Sequence, residues 1–198
     1  MRSKTTLTVT VLGGVAALVL VACNNTPGGT ASPATSSTSA TTNSAPAIAN
    51  PLDTAKLQQN LCNGLTATQL APYVGQVKNT QATTKSEYSG CDMFPTDINL
   101  AAVSINLYPN MTPSAMVASG RSFPYSKSLD PIQGYPASDS SQGNQPNGEC
   151  GTKVTVADHV TVEVAVEQSN TSSPYYNNTC AASEALAALL VGNLKASG

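Results

Sequence analysis

The sequence predicts an α+β domain: an antiparallel sheet of about four to five strands, with helices packed on one face and two disulfides as braces. Three observations predict it. CGTKVTVADHVTVEVAVEQ alternates apolar and polar residues on either side of a short turn. Several segments carry helix start and stop signals. Four cysteines, Cys62, Cys91, Cys150 and Cys180, are spread across the same region.

The elements follow in order. Leu57 and Leu61 lie four apart and share a helix face. Thr66-Ala67-Thr68-Gln69 has the form of a capping box, with Thr66 at N-cap and Gln69 at N3. Pro72 is early enough to be tolerated, and Gly75 stops the helix. After SEYSGCDMFP, the residues Ala101, Val103, Ile105 and Leu107 alternate with Ala102, Ser104, Asn106 and Tyr108, as in a half-buried strand. Thr112-Pro113 opens a short helix that ends at Gly120. Residues 121–149 hold Pro124, Pro131, Pro136 and Pro146 among turn formers and read as exposed, mobile loop, with room for a short strand at Tyr135–Ser138.

The clearest pair of strands comes next. Val154 and Val156, then Val160, Val162, Val164 and Val166, share a buried face, while Thr155, Thr161, Glu163 and Glu167 are expected on a solvated one. Ala157-Asp158-His159 is the turn. A closing helix carries the apolar stripe Ala182, Leu186, Leu189, Leu190 and Leu194, with Asn178 or Thr179 to cap it.

Ahead of this domain the chain divides in two. Residues 1–22 read as a signal peptide: Arg2 and Lys4 are a basic start, and Leu7–Val21 is an uncharged apolar run shorter than the roughly 20 residues of a spanning helix. Leu20-Val21-Ala22-Cys23 resembles the lipobox of bacterial lipoproteins. The resemblance implies that the Cys23 thiol carries a diacylglyceryl group and that cleavage falls just before it. A plain signal peptide with a chance cysteine is the alternative. Residues 23–51 then form a tether of Thr, Ser, Ala, Pro, Asn and Gly, without charge from Asn24 to Asn50. Such a segment buries too little apolar surface to order itself, and as a coil it would span on the order of 30 Å. It is a bare linker or an O-glycosylated stalk. Residues 52–198 are the single domain.

These features imply an extracytoplasmic protein held to the bacterial cell membrane by its N-terminal lipid. Without Arg2 and Lys4, 7 of the 9 basic residues remain against 11 acidic ones, a net charge of −4. That balance argues against nucleic acid as a partner. In an oxidising compartment the four domain cysteines pair by default. Three connectivities are open, and sequence alone selects none. Cys62–Cys91 and Cys150–Cys180 are preferred, because each closes a loop of about 30 residues and ties a helix end to a strand edge. A four-thiolate metal site is disfavoured by the absence of any C-x-x-C pair.

CNGLTATQLAPYVG, CDMF, QGYPAS, CGTKVTV and CAASEALAALL occur in that order. Together they resemble the actinobacterial lipoprotein family known as domain of unknown function 3558, over most of residues 60–194. That family typically has Trp two places after its second cysteine. This chain has Met93 there, with Phe94 beside it to fill part of the same core space, and it contains no Trp. The resemblance implies a fold and an anchor, and little about activity.

No catalytic set stands out. His159, the single histidine, sits in the predicted hairpin tip beside Asp158. No serine lies in a G-x-S-x-G setting, and no phosphate loop or metal-ligand cluster appears. The expectation is a non-catalytic domain without cofactor that binds an envelope protein or a small ligand. Its contact surface would be the polar sheet face of Tyr108, Thr161, Glu163 and Glu167, or loop 124–149. Tyr125, Tyr135, Tyr175 and Tyr176, taken to lie in loops, would form an aromatic rim. The alternatives are an accessory subunit of an envelope assembly and, last, a cell-wall hydrolase built around His159.

Overall fold

The computed structural model describes residues 47–198. The expected signal peptide at 1–22, Cys23 and the expected tether as far as residue 46 lie outside the described residues.

The sheet has seven strands, not four or five: β1 (Val77–Thr84), β2 (Ser89–Pro95), β3 (Ala102–Tyr108), β4 (Tyr125–Ile132), β5 (Tyr135–Ser141), β6 (Glu149–Ala157) and β7 (Val160–Glu167). Every neighbour pair is antiparallel, in the order β1-β2-β3-β7-β6-β5-β4. Two meanders, β1–β3 and β4–β7, therefore meet at the β3–β7 seam. The helices are α1 (Ala55–Gln59), α2 (Ala67–Val74), α3 (Pro113–Gly120) and α4 (Thr179–Ser197), with a 3₁₀ turn at Leu61–Asn63.

The two strands without a counterpart in the sequence pattern are the edges, β1 and β4, while β5 extends the short strand expected at Tyr135–Ser138. β1 is VKNTQATT, almost wholly exposed and without apolar alternation. β4 and β5 replace the expected mobile loop of 121–149. Gln133 (φ 52°) and Gly134 (φ 93°) form their two-residue turn, the left-handed pair that matches strand twist. Pro131 falls where the register shifts between Leu129 and Ile132, on an edge strand that tolerates a missing donor.

One face of the sheet is apolar. Val103, Ile105, Val154, Val162, Val164 and Val166 pack there against Leu186 and Leu190 of α4 and against Leu57, Leu61 and Leu70, all nearly or wholly buried. Leu57 and Leu61 both reach that core but not on one helix face: α1 ends at Gln59, Asn60 is extended, and Leu61 opens the 3₁₀ turn. The capping box is present: Gln69 N donates to Thr66 Oγ1 at 3.2 Å and Thr66 N donates to Gln69 Oε1 at 2.8 Å. Thr112 caps α3, accepting from Ala115 N at 3.1 Å. On α4 the buried stripe includes Ser183, Ala187 and Val191, while Leu189 is exposed. Asn178 is at the N-cap of α4 without a side-chain capping bond.

Helices do not all lie on that face. α3 sits on the other: the hydroxyl of Thr155, which alternates with Val154 and Val156, lies 3.4 Å from the sulfur of buried Met116. The folded unit also begins before residue 52. Ile48 packs partly on the core and its N–H donates to Asp158 at 2.7 Å, while Leu52 N donates to Val156 O at 2.9 Å. Among the described residues, no helix is long and apolar enough to cross a membrane.

Candidate functional site

The face opposite the valines is where the chemistry gathers. Lys153 and Glu163 are direct cross-strand partners in β6 and β7. Their Nζ and Oε1 atoms are 3.2 Å apart, with side chains 5% and 10% exposed. Glu163 Oε2 accepts from the Tyr108 hydroxyl at 2.7 Å and from Asn106 Nδ2 at 3.1 Å. Burial, then the Glu163 charge, pushes the Tyr108 hydroxyl well above its ordinary pKa, so it stays a proton donor. Lys153 Nζ lies 4.9 Å from the centre of the Phe123 ring. Gly151 leaves the space that Glu163 occupies: a Cβ there would stand 2.7 Å from its Oε1.

A roof explains the burial. Thr155 and Thr161 share a 2.9 Å hydrogen bond, Thr161 donates to Met111 O at 3.0 Å, and Met116 closes over them. The expectation of a solvated face at Thr161 and Glu163 is therefore corrected; both are buried, and only Glu167 is exposed. α3 and the segment to Phe123 cover one half of the face.

The other half is open. A cleft of about 460 Å³ is lined by Ser104, Ala165, Glu149, Glu167, Gln168 and Tyr176, among others. Glu149 and Glu167 face each other across the strands, an arrangement that repels. Gln168 is 2% exposed, its Oε1 accepts from Asn170 N at 2.7 Å, and its Nε2 has no partner within the protein. Ser104 beside it donates to Asp92 at 2.6 Å.

Residues 18–193 match the family described as protein of unknown function (DUF3558). The chain belongs to this family. No curated protein and no solved structure matches it.

The DUF3558 motifs can now be placed. Met93, at the family's Trp position, is 1% exposed and fills the valine-face core. Phe94 alternates to the opposite face, so it does not share that space. The preferred disulfides are both present, Cys62–Cys91 and Cys150–Cys180. The first ties the 3₁₀ turn to β2 and the second ties β6 to the start of α4.

The four tyrosines form no rim. Tyr125 and Tyr135 are strand residues, paired with Ser141 and Ile132 at opposite ends of the β4–β5 hairpin. Tyr135 is buried and its hydroxyl donates to Asn50 O at 2.7 Å. Tyr175 packs on Tyr73, ring centres 5.8 Å apart, and its hydroxyl donates to Pro72 O. Only Tyr176 lines the cleft, held where Gly148 N donates to its carbonyl at 2.7 Å. His159 is exposed in the β6–β7 turn, and no hydrogen bond or ion pair to its side chain occurs among the described residues.

One further titratable group is buried on the valine side. Asp139 of β5 is 1% exposed and its Oδ1 accepts from Thr152 at 2.7 Å, while Oδ2 has no partner. Its pKa is pushed up to about 7, chiefly by burial. Glu184 of α4 adds to the rise, and the Thr152 hydrogen bond and Lys127 of β4 oppose it. Nothing in the alternation of YPASDSS marked Asp139 as buried, because the strand itself was not expected beyond Ser138.

Proposed function

We propose that this protein is a lipid-anchored, extracytoplasmic lipoprotein of the bacterial cell envelope whose domain binds a ligand or a protein partner without catalysing a reaction. One observation carries the anchor. The two disulfides use Cys62, Cys91, Cys150 and Cys180, so Cys23 stands outside both pairs. Its position after Leu20-Val21-Ala22 supplies a chemical reason for that odd thiol, a thioether to lipid. Two or three acyl chains anchor stably where one is marginal.

The binding half of the reading is supported by the half-roofed polar face. Its buried ion pair fixes the sheet, and the open cleft beside it offers carboxylates, a serine hydroxyl and the Tyr176 ring at its rim. The isolated His159 favours this reading over the hydrolase. The accessory-subunit reading shares the same surface and differs only in the occupant.

Mass spectrometry of the membrane fraction tests the anchor. A mature N-terminus at acylated Cys23 is expected; an unacylated N-terminus elsewhere contradicts it. Photo-crosslinking residues at positions 167 and 176 test the cleft in intact cells. A discrete adduct is expected from both and none from the exposed edge position 78. Equal labelling at all three positions would contradict the cleft.

A further inference from the structure

We propose that Cys150–Cys180 is a thiol–disulfide exchange site, in which Asp139 is the buried proton donor and acceptor for the Cys150 sulfur and Cys180 is the sulfur that an external dithiol attacks. This does not rest on the anchoring or binding readings.

The placement carries it. A carboxylate oxygen of Asp139 and both sulfurs lie within 4.8 Å of one another. Asp139 is almost wholly buried, and its Oδ2 has no partner within the protein. Cys150 is fully buried, whereas Cys180 is half-buried in the first turn of the 19-residue helix α4. The end of that helix stabilises a thiolate on Cys180. A buried thiolate at Cys150 is a poor leaving group, because burial favours its protonated form. A neighbouring carboxylic acid removes that obstacle by protonating it. Asp139 holds a proton up to about pH 7. The groups facing it are Thr152 of β6, Lys127 of β4, and Glu184 with Ser183 of α4.

The exchange balances. A thiolate of the external dithiol bonds to Cys180 Sγ, the Cys150–Cys180 bond breaks, and its electron pair leaves on Cys150 Sγ. Asp139 gives its proton to that sulfur. The second thiol of the reagent then attacks its own sulfur in the mixed disulfide and releases Cys180 as a thiolate, which takes a proton from water. The external dithiol is oxidised to a disulfide and the protein disulfide is reduced to two thiols, with two electrons moved. Asp139 recovers its proton from solvent, and the reverse reaction uses the carboxylate as base.

Cys62–Cys91 is the internal control. It also pairs a half-buried with a fully buried cysteine. Among the described residues, no carboxylate lies within 4.8 Å of both of its sulfurs, and Cys62 is in a three-residue turn.

The test uses the mature chain in detergent, exposed to dithiothreitol for timed intervals between pH 5 and 9, quenched by alkylation and read by peptide mass spectrometry. Cys150–Cys180 should be reduced at least tenfold faster than Cys62–Cys91. Its rate, divided by the thiolate fraction of the reagent, should fall as pH rises through about 7. Asp139→Asn should remove that inflection and slow reduction at pH 6 at least tenfold. Glu184→Gln, which keeps Asp139, should move the inflection to lower pH and covers a failure of Asp139→Asn to fold. Reduction of both disulfides only at the rate of global unfolding, or a pH profile unchanged in the variants, would overturn the proposal.

Discussion

The two faces of the β6–β7 hairpin share one alternation and differ in how they are held. Val154, Val162 and Val164 are buried against α4 by apolar packing, which is tolerant of direction. Lys153, Thr155, Thr161 and Glu163 are also buried, but each needs a specific partner: Glu163 for Lys153, Tyr108 and Asn106 for Glu163, Thr161 for Thr155, Met111 O for Thr161. The difference teaches that polarity on an alternating strand reports which groups must be satisfied, not which side is in water. The valine face gives the domain its stability. The polar face gives it a fixed surface that continues into the open cleft.

The largest effect separates the faces most sharply. Glu163→Ala leaves the Lys153 ammonium buried without its carboxylate and should lose about 3–5 kcal/mol in denaturant unfolding. Leu190→Ala, on the valine side, should lose about 2–5 kcal/mol from lost burial and the cavity left behind. The polar substitution should disturb the environment of Tyr108, seen by ultraviolet absorbance, and the apolar one should not.

A third prediction concerns pH. The Asp139 pKa rises from the ordinary 3.8 to about 7 in the folded chain. Between those values the folded state binds more protons than the unfolded one, so stability falls as pH rises and levels off above about 7. Asp139→Asn should flatten that slope, because an amide does not ionise in this range. Thermal melts at pH 5 and pH 8 check it; an equal slope in both proteins contradicts it.

The smallest effect lies in the cleft. Glu167→Gln relieves a like-charge pair with Glu149 and should change stability by less than about 0.5 kcal/mol, in the stabilising direction. A loss above about 1 kcal/mol would mean the cleft is part of the structural network.

Much of the valine side was legible beforehand. The capping box, the alternation in β3, β6 and β7 and the stripe of α4 follow from local chemistry and spacing, as does the Thr112 cap on the far face, whereas the two disulfides are a preference among three open connectivities that the structure bears out. The register of the hairpin was less accessible. A two-residue turn pairs Ala157 with Val160, whereas a common valine face needs Val154 opposite Val162. The irregularity between Thr155 and Ala157 reconciles them, and with it Lys153 meets Glu163. That opposite-charge pair was the signal available for the buried site, but it appears only once the bulge is known. Burial of Thr161 depends on α3 crossing to the far face, a long-range fact that a four-residue pattern cannot carry. β1 and β4 are not expected from the sequence, and β5 only as a short strand at Tyr135–Ser138, because edge and polar strands lack apolar alternation. Tyr125 and Tyr135 were misplaced with them.

The buried organisation of the polar face is tested most directly by a double-mutant cycle on Lys153→Met and Glu163→Leu, measured by denaturant unfolding at low and high salt. The ion pair under Phe123 and Gly151 predicts a coupling of about 2 kcal/mol or more that changes little with salt. It also predicts a double variant close to native stability. A coupling below about 0.5 kcal/mol that vanishes in salt is the mark of a solvated pair, and would contradict the account.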